Sequence, residues 1–354
     1  MMEKAYLVLE DGTVFEGRSF GAPPQGMGEL VFTTGVCGYI ETLTDPGYYG
    51  QIVLQTFPLI GNYGMIPEDM EGDCCLKGYV VREWCVNPSN FRQQGTLDAF
   101  LREKGIPGIC GVDTRQITRI LREKGVLNAM ICSQIPTDLT ALKSYRITDA
   151  VTQVTRSTAV TFSSDGEARC RVALLDLGTK RDIVRELCRR GCTVTVFPAV
   201  ASAKEILAGQ FDGLVLSNGP GDPAENAGII AQLRLLLGKL PVFGVGMGHQ
   251  LTALAADGKT EKLLHGHRGG NQPVRQPETG RTYITSQNHG YVVLPEGLSQ
   301  GTVSFVNAND GTCEGLDYPE WNAFTVQFYP ESGNGPRDTG FLFDRFLTMM
   351  GGNR

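Results

Sequence analysis

The sequence feature that most constrains the fold is segment 241–250, where an apolar run passes directly into a helical pattern. Residues 241–245 have the composition of a buried strand, and residues 251–256 continue as a helix. Glycines occupy positions 244, 246 and 248. A strand that turns this sharply into a helix is typical of a nucleophile elbow, whose apex side chain projects into the site and whose next backbone N–H helps to stabilise an oxyanion. The segment therefore predicts an α/β domain with a reaction site at this turn.

The apex residue of this predicted elbow is Gly246, which has no side chain and cannot act as a nucleophile. Glycine adopts a positive φ there without the strain of about 1–3 kcal/mol that a residue with a Cβ experiences. A dinucleotide-binding loop is the rival interpretation of so many glycines. The spacing G-x-G-x-x-G does not fit, because the glycines here are two residues apart.

The second half of the chain has the pattern of a doubly wound parallel sheet. An apolar run at 171–177 is followed by a helical pattern at 180–190 and a further apolar run at 193–197, which is a βαβ unit. Two more strands are predicted at 213–216 and 241–245. The loop after the first of these offers the backbone N–H groups of Gly219 and Gly221, which suit an oxyanion hole or a carboxylate contact, and an ordinary Pro/Gly loop is the alternative.

The first half predicts a smaller mixed α/β domain. Residues 5–9 and 13–15 form a hairpin around Asp11-Gly12, since Asp-Gly between alternating segments favours such a turn. Further strands (29–33, 51–55, 77–81) and two helices (96–104 and 114–124, the latter capped by Asp113 and ended by Gly125) are predicted. The predicted limits are 1–132 for this domain, 133–168 for a Ser/Thr/Asp-rich connection and 169–354 for the second domain.

Composition excludes several classes of protein. The net charge of -6 comes without a clustered basic face, so no nucleic-acid partner is predicted. The sequence contains no run of about 18 apolar residues, so no membrane span is predicted. The ten cysteines are scattered and form no C-x-x-C pair, which predicts reduced thiols, a cytoplasmic location and no metal site.

Four segments together resemble the class I glutamine amidotransferase family: the elbow, the 216–223 loop, Ser-Gln-Asn-His-Gly-Tyr at 286–291 and Val-Gln-Phe-Tyr-Pro-Glu at 326–331. Six further segments narrow the resemblance to the small-subunit family of carbamoyl phosphate synthetase: 38–46, 60–64, 89–92, 111–115, 176–180 and 267–271. The resemblance extends from about Ala5 to Phe346. It implies a small-subunit-specific N-terminal domain followed by a class I glutamine amidotransferase domain.

The resemblance also implies a function. In this family a cysteine at the elbow attacks the amide of L-glutamine, giving a thioester and ammonia, which the large synthetase subunit uses to make carbamoyl phosphate for arginine and pyrimidine synthesis. The implied partner is that large subunit, in a heterodimer, with ATP and Mg²⁺ bound there and no cofactor in this chain. The glutamine contacts carried over from the family fall at Gly219, Gly221, Met247, Gln250, Asn288, Gly290 and Tyr291.

The sequence departs from the family at three positions of this site. The nucleophilic cysteine is replaced by Gly246, the histidine base by Tyr329, and a serine that contacts glutamine from the N-terminal domain by Gly47. The orienting carboxylate is kept as Glu331. A phenol with a pKa of about 10 is a poor base at neutral pH, so the chain is predicted to be inactive as a glutaminase, a pseudoenzyme.

Several interpretations stay open. The site either still holds glutamine or another small amide weakly, or its residues are kept only for loop geometry. The chain is either a silent small subunit with a structural or regulatory role, or a divergent paralogue that binds a ligand or a protein. Altered chemistry through Tyr329 and Glu331 is the least favoured, because no nucleophile or metal cluster accompanies them.

Overall fold

The computed structural model describes residues 3–333 and 335–351, and the chain divides into two compact units between Ile147 and Thr148. The predicted connection, residues 133–168, spans this division. The outermost predicted limits, residues 1 and 354, lie outside the described residues. Each unit has its own hydrophobic core.

The first unit is built on a closed β-barrel with the strand order β1-β2-β8-β6-β4-β3-β9. Its strands are Lys4–Leu9 (β1), Val14–Gly21 (β2), Gln25–Thr33 (β3), Gln51–Gln55 (β4), Leu59–Ile60 (β5), Gly78–Val80 (β6), Glu83–Trp84 (β7), Pro107–Cys110 (β8) and Leu127–Cys132 (β9). Its helices are Tyr39–Thr44 (α1), Leu97–Glu103 (α2), Thr114–Lys124 (α3) and Thr140–Ser144 (α4). The predicted hairpin is confirmed as β1 paired antiparallel with β2.

Local chemistry sets the ends of α3 as the sequence predicts. The Asp113 carboxylate accepts a hydrogen bond from the backbone N–H of Gln116 at 2.9 Å, which satisfies one of the unpaired donors of the first turn. Gly125 ends the helix with φ +90°, a backbone conformation that a side chain disfavours. Thr96 caps α2 in the same manner through the N–H of Ala99.

The second unit contains a ten-stranded mixed sheet in the order β10-β12-β11-β13-β14-β19-β18-β16-β15-β17. Its strands are Val160–Phe162 (β10), Cys170–Asp176 (β11), Cys192–Pro198 (β12), Gly213–Leu216 (β13), Val242–Val245 (β14), Lys259–Arg275 (β15), Thr282–Leu294 (β16), Thr302–Asn307 (β17), Cys313–Tyr318 (β18) and Ala323–Val326 (β19). Its helices are Ala150–Val154 (α5), Arg181–Arg189 (α6), Ala203–Ala208 (α7), Ala227–Leu236 (α8), Met247–Ala255 (α9) and Phe341–Met349 (α10).

The centre of this sheet is parallel and covered on both faces, as a doubly wound fold requires. Strands β12, β11, β13, β14 and β19 pair in parallel. Leu174 packs with α6 and α10 on one face, and its neighbour Leu175 packs with α7, α8 and α9 on the other. Burial on both sides explains why the central strands β11, β13 and β14 are mostly apolar. The antiparallel extension through β18, β16, β15 and β17 is a feature that the sequence did not predict.

None of the helices within residues 3–333 and 335–351 combines the length and hydropathy needed to cross a membrane. All ten cysteines lie in the described part of the chain, and none forms a disulfide there.

Candidate active site

The predicted elbow is present between β14 and α9, with Gly246 at its apex at φ 56° and ψ −107°. The flanking glycines are required by close packing. A Cβ on Gly248 would lie 2.5 Å from the Cβ of Leu216, and one on Gly244 would lie 2.7 Å from Cγ2 of Thr325. Gly248 is therefore required by the packing of α9 on β13, and Gly244 by its contacts with β19 and with the backbone of Gly248, which a Cβ would approach to 3.0 Å.

The apex faces two other parts of the site. A Cβ on Gly246 would lie 3.3 Å from Cα of Asn218 and 3.7 Å from Cε1 of Tyr329. The backbone N–H of Gly246 donates to the carbonyl of Val326, at the end of β19, at 2.9 Å. The loop after β13, the elbow after β14 and the segment after β19 thus converge at the carboxyl ends of parallel strands, where open α/β sheets place their sites.

Tyr329 fills the position predicted for the base. Its side chain is buried, with the residue 5% exposed. Its backbone N–H donates to the carbonyl of Ser286 at 2.9 Å, and its hydroxyl donates to the carbonyl of Asn288 at 3.4 Å. Because the hydroxyl is directed at a carbonyl, it acts there as a donor and not as a proton acceptor.

Glu331, the predicted orienting carboxylate, is paired with Lys180. The Lys180 Nζ lies 2.8 Å from Glu331 Oε1, and both side chains are almost fully buried, at 3% and 0% exposure. The same ammonium lies 4.4 Å from the centre of the Tyr329 ring. The sequence did not assign Lys180 to the site, although it ends the 176–180 motif directly after a predicted central strand, a position where site residues gather.

Asn218 also belongs to the site and was not predicted. Its Oδ1 accepts a hydrogen bond from the backbone N–H of Lys180 at 3.2 Å. Its buried Nδ2 has no hydrogen-bond partner among the described residues. An amide donor of this kind beside the elbow suits the oxygen of a bound amide or carboxylate.

The loop glycines Gly219 and Gly221 are fixed by packing. A Cβ on Gly219 would lie 2.2 Å from the carbonyl oxygen of Leu177. Gly221 has φ +87°, and a Cβ there would lie 2.7 Å from Cβ of Ala150. Loop geometry alone therefore explains why glycine stands at both positions.

The remaining predicted glutamine contacts lie on α9 and β16. Gln250 Nε2 donates to the carbonyl of Tyr291 and to Oε1 of Gln327, each at 2.9 Å, which connects α9 to β16. Met247 is buried at the first turn of α9, and Asn288 and Gly290 lie on β16. Gly47 lies in the first unit, in the turn Pro46–Tyr48, where its N–H donates to Asp45 Oδ1 at 2.8 Å.

His249, the histidine nearest to the elbow in sequence, is not available as a base. Its Nδ1 and Thr325 Oγ1 are 2.8 Å apart, and the residue is fully buried. Burial lowers the pKa of its imidazole to about 3. Its ring is therefore a neutral, packed part of α9.

This arrangement of loop, elbow and C-terminal motif on a parallel sheet is that of the class I glutamine amidotransferases, and residues 173–349 match the family model described as glutamine amidotransferase class-I. Residues 7–131 match the model described as the CPSase domain of the carbamoyl-phosphate synthase small chain.

Full-length relatives agree with both matches. Proteins named carbamoyl phosphate synthase small chain are 48% identical in Listeria monocytogenes (99% of this chain and 98% of that one) and 47% identical in Bacillus caldolyticus (98% and 96%). One from Fusobacterium nucleatum is 46% identical over 99% of each chain. The chain belongs to the carbamoyl phosphate synthase small chain family.

Proposed function

We propose that this chain is a small chain of carbamoyl phosphate synthase that assembles with a large subunit but does not hydrolyse glutamine. The observation that carries the proposal is the pairing of an elbow apex without a side chain, Gly246, with a buried tyrosine, Tyr329, in the position of the base. Family membership supports a large subunit as the partner.

The site lacks the groups that react in glutamine hydrolysis. Gly246 provides no thiol, so no thioester forms. The Tyr329 hydroxyl is directed at the carbonyl of Asn288, and Glu331 is paired with a lysine in place of a histidine. In triad hydrolases the loss of nucleophile or base lowers the rate by about six orders of magnitude.

Free ammonia is then the nitrogen donor that the assembled enzyme uses. ATP and Mg²⁺ bind to the large subunit, and this chain holds no reactive cofactor of its own. Assembly takes place in the cytoplasm. The polar groups around the elbow, including the Asn218 amide, support weak binding of L-glutamine as a ligand. The role of the chain is therefore structural or regulatory.

The test is carbamoyl phosphate synthesis by the chain reconstituted with the large subunit from the same organism. We expect synthesis from ammonium and none from glutamine, while a relative with an intact elbow cysteine, assayed beside it, uses both. Glutamine-dependent ammonia release by the pure chain that disappears in Glu331→Gln would contradict the proposal.

Assembly itself is tested by co-purification. A stable complex with the large subunit supports the proposal. If the chain purifies alone when both are produced together, the alternative holds, that of a divergent paralogue with a ligand-binding or regulatory role.

A further inference from the structure

A buried cluster of two histidines and a glutamate lies in the antiparallel part of the second unit. It consists of His267 on β15, His289 on β16 and Glu314 on β18. One ligand-type atom from each (His267 Nδ1, His289 Nε2 and Glu314 Oε1) lies within 4.8 Å of the other two. The side chains are 11%, 4% and 0% exposed. The two histidines are direct cross-strand partners, with ring centres 4.9 Å apart.

The outer nitrogen of each ring is committed to an acceptor. His289 Nδ1 lies 2.8 Å from the carbonyl oxygen of Tyr291, and His267 Nε2 lies 2.9 Å from Asp310 Oδ2. Each outer nitrogen therefore carries the hydrogen, and in a neutral ring the inner nitrogen keeps its lone pair. Histidines that bind metals have this arrangement, in which a carboxylate or a carbonyl orients the ring from behind.

On the side where the three residues face one another, hydrogen-bond acceptors lie close together. His289 Nε2 lies 3.0 Å from Gln287 Oε1 and 4.0 Å from Glu314 Oε1, and both oxygens are acceptors. With Glu314 ionised, turning the Gln287 amide around does not resolve this, because its Nε2 donates to Glu314 Oε2 at 3.0 Å and the oxygen would take that place. A buried convergence of lone pairs is stabilised by a cation.

We propose that His267, His289 and Glu314 bind a divalent first-row transition metal ion of the zinc type. Two imidazoles and a carboxylate form a donor set of zinc, with a fourth position for water. Imidazole donors disfavour Mg²⁺ and Ca²⁺, which take oxygen ligands. The sequence predicted no metal site, because the three residues lie far apart along the chain and meet only through strand pairing.

Geometry and charge fit such an ion. Ligand atoms around tetrahedral zinc lie about 3.3 Å apart, and His267 Nδ1 and Glu314 Oε1 are already 3.4 Å apart. Closing the site requires the His289 ring to move inward by roughly an ångström, given zinc–nitrogen bonds of about 2.0–2.1 Å. Two carboxylates, Glu314 directly and Asp310 through His267, balance the charge of the ion.

A rival arrangement needs no metal. Asn307 Nδ2 donates to Glu314 Oε1 at 3.1 Å and lies 3.5 Å from His267 Nδ1, so an amide bridges these two residues. It leaves the Nε2 of His289 facing oxygens. The rival predicts that the cluster stabilises the fold equally well with and without metal in solution.

The test uses the untagged full-length chain after treatment with a chelator. Titration with Zn²⁺ by calorimetry is expected to show one ion per chain, and the unfolding temperature is expected to rise with the concentration of free Zn²⁺. Bound Co²⁺ is expected to show visible bands of nitrogen and oxygen ligation without a thiolate transition. Failure of the wild-type chain to bind Zn²⁺ stoichiometrically would overturn the proposal.

Variants separate this site from adventitious binding at the ten cysteines. His267→Asn and Glu314→Gln are expected to lose the stoichiometric ion, and His265→Asn, on the same strand but outside the cluster, to keep it. Asp310→Asn changes a side chain that is 42% exposed and leaves all three ligands in place. This variant should therefore fold, and it tests the metal site even if Glu314→Gln does not fold. It is expected to weaken Zn²⁺ binding by about 10- to 100-fold. Equal binding by His267→Asn, Asp310→Asn and the wild type would mean thiol binding only and would refute the site.

Discussion

The Lys180 ammonium lies 4.4 Å from the centre of the Tyr329 ring while it is paired with the Glu331 carboxylate at 2.8 Å. A cation over an aromatic face is attracted by the negative potential of the ring, more strongly when water is excluded. The Tyr329 ring is therefore attracted to the Lys180 ammonium over its face, and the Glu331 carboxylate holds that ammonium in place. Tyr329 therefore contributes to packing in the second unit, and a histidine at this position would not necessarily make the same contact with Lys180.

Restoring both reacting groups together is expected to restore glutamine hydrolysis. A Cβ at position 246 would lie 3.3 Å from Asn218 and 3.7 Å from Tyr329, so it fits only with a small shift of Asn218, and the φ of +56° adds backbone strain of about 1–3 kcal/mol. We expect the double variant Gly246→Cys/Tyr329→His to recover a measurable part of the roughly 10⁶-fold that a complete triad provides. The measurement is ammonia release from glutamine in the presence of the large subunit.

The single variants are the matched controls for this restoration. Triad residues act as a unit, so Gly246→Cys alone and Tyr329→His alone are expected to stay inactive. If the double variant folds and remains inactive, the next change is Gly47→Ser, which introduces the serine that the family resemblance implies at this position. Full activity in Gly246→Cys alone would show that Tyr329 is able to serve as a base.

Removing one partner of the buried ion pair is expected to destabilise the second unit strongly. Lys180→Met leaves Glu331 as a buried charge without its lysine, and Glu331→Gln leaves the lysine without its carboxylate. Each change is expected to lower the free energy of unfolding by about 3–5 kcal/mol. Denaturant unfolding of the two single variants and of the double variant measures this.

The double variant Lys180→Met/Glu331→Gln removes both charges. It is expected to lose clearly less stability than the sum of the two single variants, because no buried charge remains uncompensated. Additive losses would mean that the two residues do not depend on each other.

The sequence predicted the parts of the fold in which local chemistry and periodicity agree. Asp113 and Gly125 delimit α3, and the apolar runs of β11, β13 and β14 mark a sheet buried on both faces. The elbow was equally predictable, because glycine spacing reports how closely a helix packs on strands.

The rest depends on contacts between distant residues. Strands β15 and β16 are long, interrupted by bulges and partly polar, so their alternation is weak. Lys180 stood in a recognised motif, but only the fold brings it to Glu331. The pairing of His267 with His289 likewise arises from strand register, which periodicity does not fix.

The buried His249 makes stability fall as the pH falls. Its folded-state pKa of about 3 lies below the ordinary value of 6.5, so the unfolded chain takes up a proton that the folded chain rejects. Its contribution is fully present above about pH 6.5 and is lost at about 1.4 kcal/mol per pH unit as the pH decreases toward 3.

His249→Gln removes this titration and keeps a polar group for Thr325. The free energy of unfolding of the variant is expected to depend less on pH than that of the wild type between about pH 6 and pH 4. Urea unfolding at several pH values compares them, and all other titrating groups cancel in the difference. Parallel curves for the two proteins would contradict a neutral, buried His249.

Gly219→Ala is expected to disturb the loop after β13 whether or not the loop supports catalysis. The added Cβ would lie 2.2 Å from the backbone oxygen of Leu177, which cannot yield like the end of a side chain. A loss of about 1–3 kcal/mol is expected from overpacking. Gly228→Ala in α8 is the matched control, since its Cβ meets nothing within 4 Å.

Replacing a helical glycine by alanine adds up to about 1 kcal/mol of stability. The two Gly-to-Ala variants should therefore change the thermal midpoint in opposite directions. If Gly219→Ala unfolds at the same temperature as the wild type, packing does not explain why glycine stands at this position.

The closed barrel of the first unit has a consequence for how other chains are able to attach to it. Its seven strands pair in a ring, so each barrel strand already has a neighbour on both sides. A partner therefore cannot extend the barrel by adding a strand, and recognition of the barrel depends on side chains and loops. In the sheet of the second unit, β17 pairs with both β15 and β18, whereas β10, with only three residues, pairs with β12 alone among the described residues. Unwanted strand-to-strand growth of copies of this protein, if it occurs in concentrated samples, should begin at the open edge of β10 and leave the barrel intact.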